Sequence, residues 1–569
     1  APQAWHFRQS IDYSLTANYA VLDLAARQKD EFLYRIWRMA RNSIERGSRD
    51  TWTVTPTEIA LVDSAANAMR QETAAQQGGG RGTVEGAVSV GAARAVDGSL
   101  YAKFLRDPAK RDARAYIIPA NQRDFPTAVR FVNALRHAGV AVQRATADFT
   151  ANGTRYPAGT FVVQAAQAFR PHVLDMFEPQ DHPNDFAYPG GPPKRPYDNA
   201  GYTLAYQMGV QFDRSLDPVT GPFTPVQGLA TPMPGTISGS GAGYAFPVTN
   251  DAFTVVNRLL RAGAKVYRDR GHSGAFWVDA TPATTAVVEK ATRELGVSFT
   301  RGGQPQGDAA IAVATPRIAL WDQYGGSMPS GHTRWLLEQY EFPFTVVYPQ
   351  QLDAGNLRDR FDVIIFPTGA VPASDQAPRG RDFGNAGGNI PAQYQAMTGR
   401  VTVAKTVPLI REFLEQGGTV LAIGTSTALG AHLGLPLRSA LVQKGADGTE
   451  KALTADQFYI PGSILAAATD TTNPIAWGSA ARTDVFFDNS PAFRLGDDAA
   501  AKGLRAIAWF DSPAPLRSGW AWGQKALDGA VAVAEAPVGK GRVVMYGPEI
   551  LFRGQPAGTF KWLFNGIYR

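Results

Sequence analysis

Apolar residues first recur at steps of three and four. Leu33, Ile36, Trp37 and Ala40 fall on one helical face, Tyr19 and Leu22 extend it backwards, and Arg35, Arg38 and Arg41 lie off it. The spacing predicts helices from about residue 10 to 75. Thr55-Pro56-Thr57-Glu58 reads as a helix start, with Thr55 as cap, Pro56 in the first turn and Glu58 closing a capping box. The segment holds few large apolar residues for a core of its own, so it is expected to pack against another surface. Gln76 to Ser99, rich in glycine, then breaks the pattern as a loop or tether, with room for a strand around Thr83 to Val90.

The pattern next becomes short apolar runs alternating with helical stretches, and it does so twice. Ala115-Tyr116-Ile117-Ile118-Pro119 is a strand, Ala128, Phe131, Val132 and Leu135 share a helical face, Ala138-Gly139 stops it, and Val140-Ala141-Val142 is a second strand. Gly243 to Pro247, the face of Val255, Val256, Leu259 and Leu260, the stop at Ala262-Gly263 and the strand Lys265-Val266-Tyr267 repeat that order. Both copies carry Tyr-x-x-Pro, then Val-Asn at Val132-Asn133 and Val256-Asn257, then Ala-Gly, and a returning strand at Gly159–Val163 or Gly274–Val278. Duplication of one module explains this, and so does the general form of any βαβ unit. The Pro- and Gly-dense stretches Glu178–Tyr202 and Leu216–Gly243 read as long irregular connections, with a short helix over Tyr202–Val210 between them.

Arg301 to Pro316 reads as a linker. Strands then follow at Arg317–Trp321, Phe344–Tyr348, Phe361–Phe366 and Thr419–Ile423, separated by helices at Gly331–Tyr340 and Val407–Gln416. Gly539 to Gly547 turns into a late strand, and a helix over Thr559–Tyr568 closes the chain. This alternation predicts an open, mostly parallel sheet with helices on both faces. The expected fold is therefore α/β. It is divided into a helical junction (1–75), a Gly-rich linker (76–112), a first module (113–215), a connection (216–242), a second module (243–315) and a last domain (316–569).

Composition narrows the chemistry. At 569 residues the chain exceeds a single compact core, and 44% hydrophobic with 19% charged residues is a folded composition. A net charge of +6 over this length is mild, and no Lys/Arg cluster marks a nucleic-acid partner. Cysteine is absent, which excludes a thiol nucleophile, a thiolate metal site and disulfides. No apolar run approaches the length of a membrane span. The start at Ala1-Pro2 carries neither Met nor a leader pattern, so a processed product or a piece of a longer chain is expected.

Several phrases occur in a recognisable order: Asp12-Tyr13, Leu33-Tyr34-Arg35, Ala115 to Pro119, Tyr156-Pro157-Ala158-Gly159, Pro196-Tyr197-Asp198, Trp335 to Tyr340 and Phe486 to Pro491. They resemble the region that follows the catalytic domain in large bacterial zinc carboxypeptidase-like proteins of the carboxypeptidase A superfamily. Residues from about 317 onward are similar to a class I glutamine amidotransferase-like domain. The first resemblance implies a secreted or periplasmic protein whose zinc sits in a peptidase domain upstream. None of the seven histidines has Glu three residues later, so no zinc is expected in this chain and its partner is expected to be that domain. The second implies a Cys on a sharp turn after a buried strand and a His-x-Glu near the C-terminus. Here the turn is Ile423-Gly424-Thr425-Ser426-Thr427-Ala428, the Cys is missing, and no His-x-Glu is visible.

Three sets of residues remain as candidates. Ser426, with His432 six residues on, is placed where a nucleophile stands, although a hydroxyl turn capping a helix is the plainer reading. His172, Asp175, Glu178, Asp181 and His182 are the densest possible metal donors, read otherwise as a solvated acidic loop. Ser330-Gly331-His332 opens a helix after the first strand of the last domain, where open α/β sheets bind ligands and where simple capping also suffices. Tyr188, Tyr197, Tyr202 and Tyr206 can form a platform for peptide or cell-wall material, or can merely pack. The functional expectation is a non-catalytic accessory region, against a serine hydrolase using Ser426 or a peptide- or cell-wall-binding protein.

Overall fold

A computed structural model describes residues 3–76, 96–376, 390–445 and 448–568 of the chain. The strand considered around Thr83 to Val90 lies outside them. The chain is a mixed α/β protein, and its three main sheets explain where each segment goes.

Helices Phe7–Arg27, Lys29–Gly47 and Pro56–Gln76 occupy the N-terminal segment. The expected capping box forms: the Thr55 N–H donates to Glu58 (3.1 Å) and the Glu58 N–H to Thr55 Oγ1 (3.3 Å). The first helix has no buried residue and the second only Gly47, which lies on the Ala165 backbone. Ion pairing anchors the stretch after the second helix to the first module. Arg170, itself buried, holds Asp112 at 2.7 Å, and Asp112 accepts from Thr51 and from the Thr53 N–H.

The two modules share one topology. In the first, the sheet runs Asp213–Ser215, Ala115–Ile118, Phe161–Gln164, Gln143–Ala145, Phe223–Pro225. In the second, Phe299–Gly302, Gly243–Phe246, Ala275–Asp279, Val266–Asp269 and Ala310–Val313 take the same places, with Ile237–Gly239 added at one edge. All ten strands of this common order pair antiparallel, and in both modules the returning strand lies between the first two. The shared Val-Asn has one job in both copies. Asn133 exchanges hydrogen bonds with the Ala230 backbone, and Asn257 donates to the Tyr340 carbonyl and accepts from Tyr568. The modules meet through a bidentate Arg130–Asp251 pair. They also meet through Asp124, which caps its own helix at Thr127 and accepts from the Asn250 N–H of the neighbouring one.

Two strands fall in stretches read as irregular: Phe223–Pro225 in the expected connection, and Ala310–Val313 in the stretch read as a linker, within the second module's bounds. Both are short edge strands whose hydrogen bonds come from distant partners, so no local periodicity marks them. The second strand of the first module is Gln143–Ala145, just past the apolar Val140-Ala141-Val142.

The last sheet is half of what was expected. Phe344–Val347, Ile318–Trp321, Val363–Phe366, Thr419–Ile423 and Gly541–Tyr546 lie side by side and parallel. The sheet then continues antiparallel through Val531–Val538, Arg505–Trp509, Ser463–Thr469 and Arg482–Phe487. Alternate residues divide two cores. Ile318, Leu320, Ile365, Leu421 and Val544 face the closing helix Ala557–Ile567 and the second module in one continuous core. Ala319, Trp321, Ile364, Phe366 and Val543 face helix Thr406–Glu415. The second module and the last sheet are thus not separate hydrophobic bodies.

Candidate functional site

Three adjacent parallel strands deliver their C-terminal ends to one place, the position at which open α/β sheets bind ligands. Val363–Phe366 leads into Pro367-Thr368-Gly369, Thr419–Ile423 into the turn Gly424–Ala428, and Gly541–Tyr546 into Gly547-Pro548-Glu549. Thr368 donates its hydroxyl to the Glu549 carboxylate, and the Gly369 N–H donates to Thr425 Oγ1 at 2.9 Å. Gly424 holds the left-handed position of the turn at φ +55°. A Cβ there would overlap Thr368 Oγ1 and Glu549 Oε1.

The segment Phe486–Pro491 closes over this edge. The Glu549 N–H donates to the Phe486 carbonyl at 3.0 Å, and Phe486 stacks on Phe552 with centroids 4.1 Å apart. Asn489, at φ +43°, accepts from the Ile460 N–H at 3.1 Å, so its amide oxygen holds the neighbouring loop. Arg553, also left-handed at φ +51°, donates its N–H to His332 Nδ1 at 3.2 Å and forks onto Asp198 at 2.8 and 2.6 Å.

Electrostatics single out Glu549. Burial pushes its carboxyl up to about 7, opposed by the Thr368 hydrogen bond and reinforced by the charge of Asp488. Asp488 is raised too, mainly by burial, with the Gly462 N–H and Arg195 working against it. Burial and then Arg553 lower His332, so its imidazole stays neutral at neutral pH. The edge therefore carries a carboxyl that exchanges a proton near neutrality and, bonded to the Arg553 N–H, a neutral imidazole. The folded chain keeps the Glu549 proton between pH 4.5 and about 7, where the unfolded chain releases it. This contribution is complete below 4.5 and is lost as pH rises through 7. The residue keeps some exposure, so the expected loss is about 2 kcal/mol rather than the full shift. Glu549→Gln should flatten the decline of Tm over that interval; an unchanged decline would place the proton elsewhere.

The sequence candidates separate. Ser426 is fully buried; its hydroxyl donates to the Pro367 carbonyl at 2.6 Å and accepts the Ala370 and Val371 N–H groups at 3.1 Å each. His432 Nε2 bonds the Pro372 carbonyl at 2.8 Å, so serine and histidine fasten the same loop through different atoms. The hydroxyl ties that loop to the turn and is not free to attack. Ser426→Ala should lower stability by about 2 kcal/mol in urea unfolding, because two buried N–H groups lose their acceptor.

Ser330 and Gly331 lie inside a helix that begins earlier than expected, at Met328, with Ser327 as its cap. Ser330 Oγ donates to the Trp321 carbonyl at 2.7 Å, while His332 alone reaches the strand-end cluster, through Arg553. The densest donor set disperses. Asp181 caps Thr57, Glu178 bonds Tyr116 and Arg214, His182 stacks on Trp520, and Asp175 is pushed up by burial with His172 working against it. Among the described residues no group of three or more His, Asp or Glu is arranged to hold a metal ion. Tyr197 and Tyr188 are exposed, and Tyr206 lies under Arg517 with the guanidinium 4.6 Å from its ring centre.

Sequence reasoning missed Glu549, Thr368, Asp488 and Arg553. Glu549 follows a buried strand in Gly547-Pro548-Glu549, with no histidine next to it in the chain. A search for histidine passes over it. Pro-Glu directly after a buried strand was the available signal.

No family model matches the chain, and no curated protein does. Solved structures similar to it include PurLQS from Thermotoga maritima, at 15% identity over 44% of this chain and 98% of that one, TM-score 0.26. A glutamine amidotransferase from the same organism follows at 10% identity, 41% and 75% coverage, TM-score 0.24. A β-galactosidase from Rahnella sp. R3 aligns at 12% identity over 43% of this chain, TM-score 0.23, and the chain spans 30% of that protein's length. Scores this low leave the chain without an assigned family.

Proposed function

We propose that this chain is a non-catalytic accessory region of a secreted bacterial zinc carboxypeptidase-like protein, and that it packs on a peptidase domain outside this sequence. The observation that carries the reading is the uncovered N-terminal arm. Phe7 is 81% exposed, Tyr19 71%, Leu33 64% and Trp37 56%, on two helices that bury one glycine between them. Apolar surface of this extent exceeds what a lone soluble domain leaves in water, and a neighbouring polypeptide is the natural cover. The peptidase identity of that neighbour comes from the phrases Leu33-Tyr34-Arg35, Pro196-Tyr197-Asp198 and Phe486 to Pro491. The alternative of a serine hydrolase is weakened by the Ser426 hydroxyl, which is buried and held by the Pro367 carbonyl and the Ala370 and Val371 N–H groups. No described helix is long and apolar enough to cross a membrane.

The test mixes the full chain with a His-x-x-Glu peptidase domain encoded upstream in the same reading frame. A stoichiometric complex in size-exclusion chromatography with light scattering is expected, and the double change Leu33→Glu, Trp37→Glu should abolish it. Shortening of a peptide from its C-terminus by the chain alone, stopped by a chelator, would overturn the reading.

A further inference from the structure

A cleft that the arm does not line is independent of that proposal. The loop Gln122–Asp124, the stretch Tyr206–Arg214 and the closing helix with its neighbours Gly478–Ala480 enclose a cleft of about 660 Å³ between the first module and the last sheet. This is the size of a small-molecule site. Lys561, on the closing helix, lines it and is only 6% exposed. A lysine buried this far normally has a carboxylate partner, because an unpaired ammonium is expensive to bury. Lys561 makes no hydrogen bond or ion pair with any described residue.

The charge of Asp124 acts on Lys561 but makes no ion pair with it; the two Asp124 oxygens accept from the Thr127 and Asn250 N–H groups. The other basic residues of the cleft divide in two. Arg214, Arg482 and Arg517 are neutralised by Glu178, Asp511 and Asp484. Arg123 has no ion pair among the described residues; it donates to the Ser479 carbonyl at 2.7 Å. Two basic side chains without an ion pair among the described residues thus line one cleft. The lining also includes aromatic rings: Tyr206 and Phe212 lie 19° from parallel with centroids 6.1 Å apart, and Arg517 lies over Tyr206 at 4.6 Å.

We propose that this cleft is a binding site for a small organic monocarboxylate with an apolar or aromatic body, its carboxylate on Lys561 and its body against Tyr206 and Phe212. A single negative charge suits the site better than a dianion, because Asp124, Asp213 and Asp484 line the same walls. Burial holds the Lys561 amine below its ordinary range, and a carboxylate beside it would favour the charged form.

The experiment titrates the full chain calorimetrically with phenylacetate, 4-phenylbutyrate, the neutral phenylacetamide and inorganic phosphate. Saturable one-to-one binding of at least one acid below about 10 mM is expected, with the amide weaker by about tenfold or more. Lys561→Met should weaken the acid by about tenfold, and Lys540→Met, on an exposed turn, should leave it unchanged. Should Lys561→Met fail to fold, acylation of wild-type Lys561, mapped by mass spectrometry, should slow on adding the acid while that of Lys540 does not. No saturable binding of either acid, equal binding of the amide, binding that survives Lys561→Met, or no protection of Lys561 would each overturn the proposal. Phosphate binding tighter than both acids and lost in Lys561→Met would overturn its commitment to a carboxylate.

Discussion

Arg268→Ala is expected to destabilise the protein by about 3–5 kcal/mol, read by urea unfolding with tryptophan fluorescence. Arg268 is 2% exposed, on a strand of the second module. It donates to Asn565 Oδ1 of the closing helix at 2.7 Å and to the Gly274 carbonyl at 3.3 Å. Its guanidinium lies between Phe276 and Trp477, 4.9 and 4.5 Å from their ring centres. Asn565 in turn donates to the Ile475 and Trp477 carbonyls at 2.9 Å each. Alanine empties the space between two rings and strands the acceptors that orient the closing helix. Arg268→Met fills most of the volume without donating and should cost about half as much, the difference measuring the polar part. A loss below about 1 kcal/mol for the alanine variant would mean that apolar contact alone joins module and helix.

Gly424→Ala should cost about 3–4 kcal/mol, from a left-handed backbone now carrying a Cβ and from overlap with two side chains in a packed turn. The overlap falls on Thr368 Oγ1 and Glu549 Oε1, so the damage has a signature. Moving Glu549 toward water returns its carboxyl to the ordinary range, and the decline of stability through pH 7 should vanish as in Glu549→Gln. Thr368→Gly removes one colliding group. In the pair with Gly424→Ala it should recover more than about 1 kcal/mol relative to additivity. A neutral Gly424→Ala, or one that keeps the pH dependence, would show that turn and carboxyl are not in contact.

Much of the fold was legible where burial is continuous and local. Val363–Phe366 and Thr419–Ile423 are wholly apolar or β-branched runs bounded by turns, and such runs read as inner parallel strands. Ser463–Thr469, Ser-Ile-Leu-Ala-Ala-Ala-Thr, is just as buried, yet its alanines suit a helix equally, and the antiparallel half of the sheet went unread. At the candidate site His332 was legible as a residue near a strand end, but not its hydrogen bond from Arg553, 221 positions away. The turn was legible, but Ser426 drew the eye although Gly424 holds its strained position.

Local chemistry along the chain determined the helices, the inner strands, the repeated module with its two Val-Asn pairs, and the lack of any thiol. Those properties depend on neighbours three, four or two positions apart. Tertiary structure alone decided that the face of Leu33, Ile36 and Trp37 stays uncovered, that Glu549 holds its proton near neutrality, and that Lys561 is buried without a counter-ion among the described residues. Desolvation and ion pairing are set by whatever the fold brings alongside, and a one-dimensional pattern carries no record of those distances.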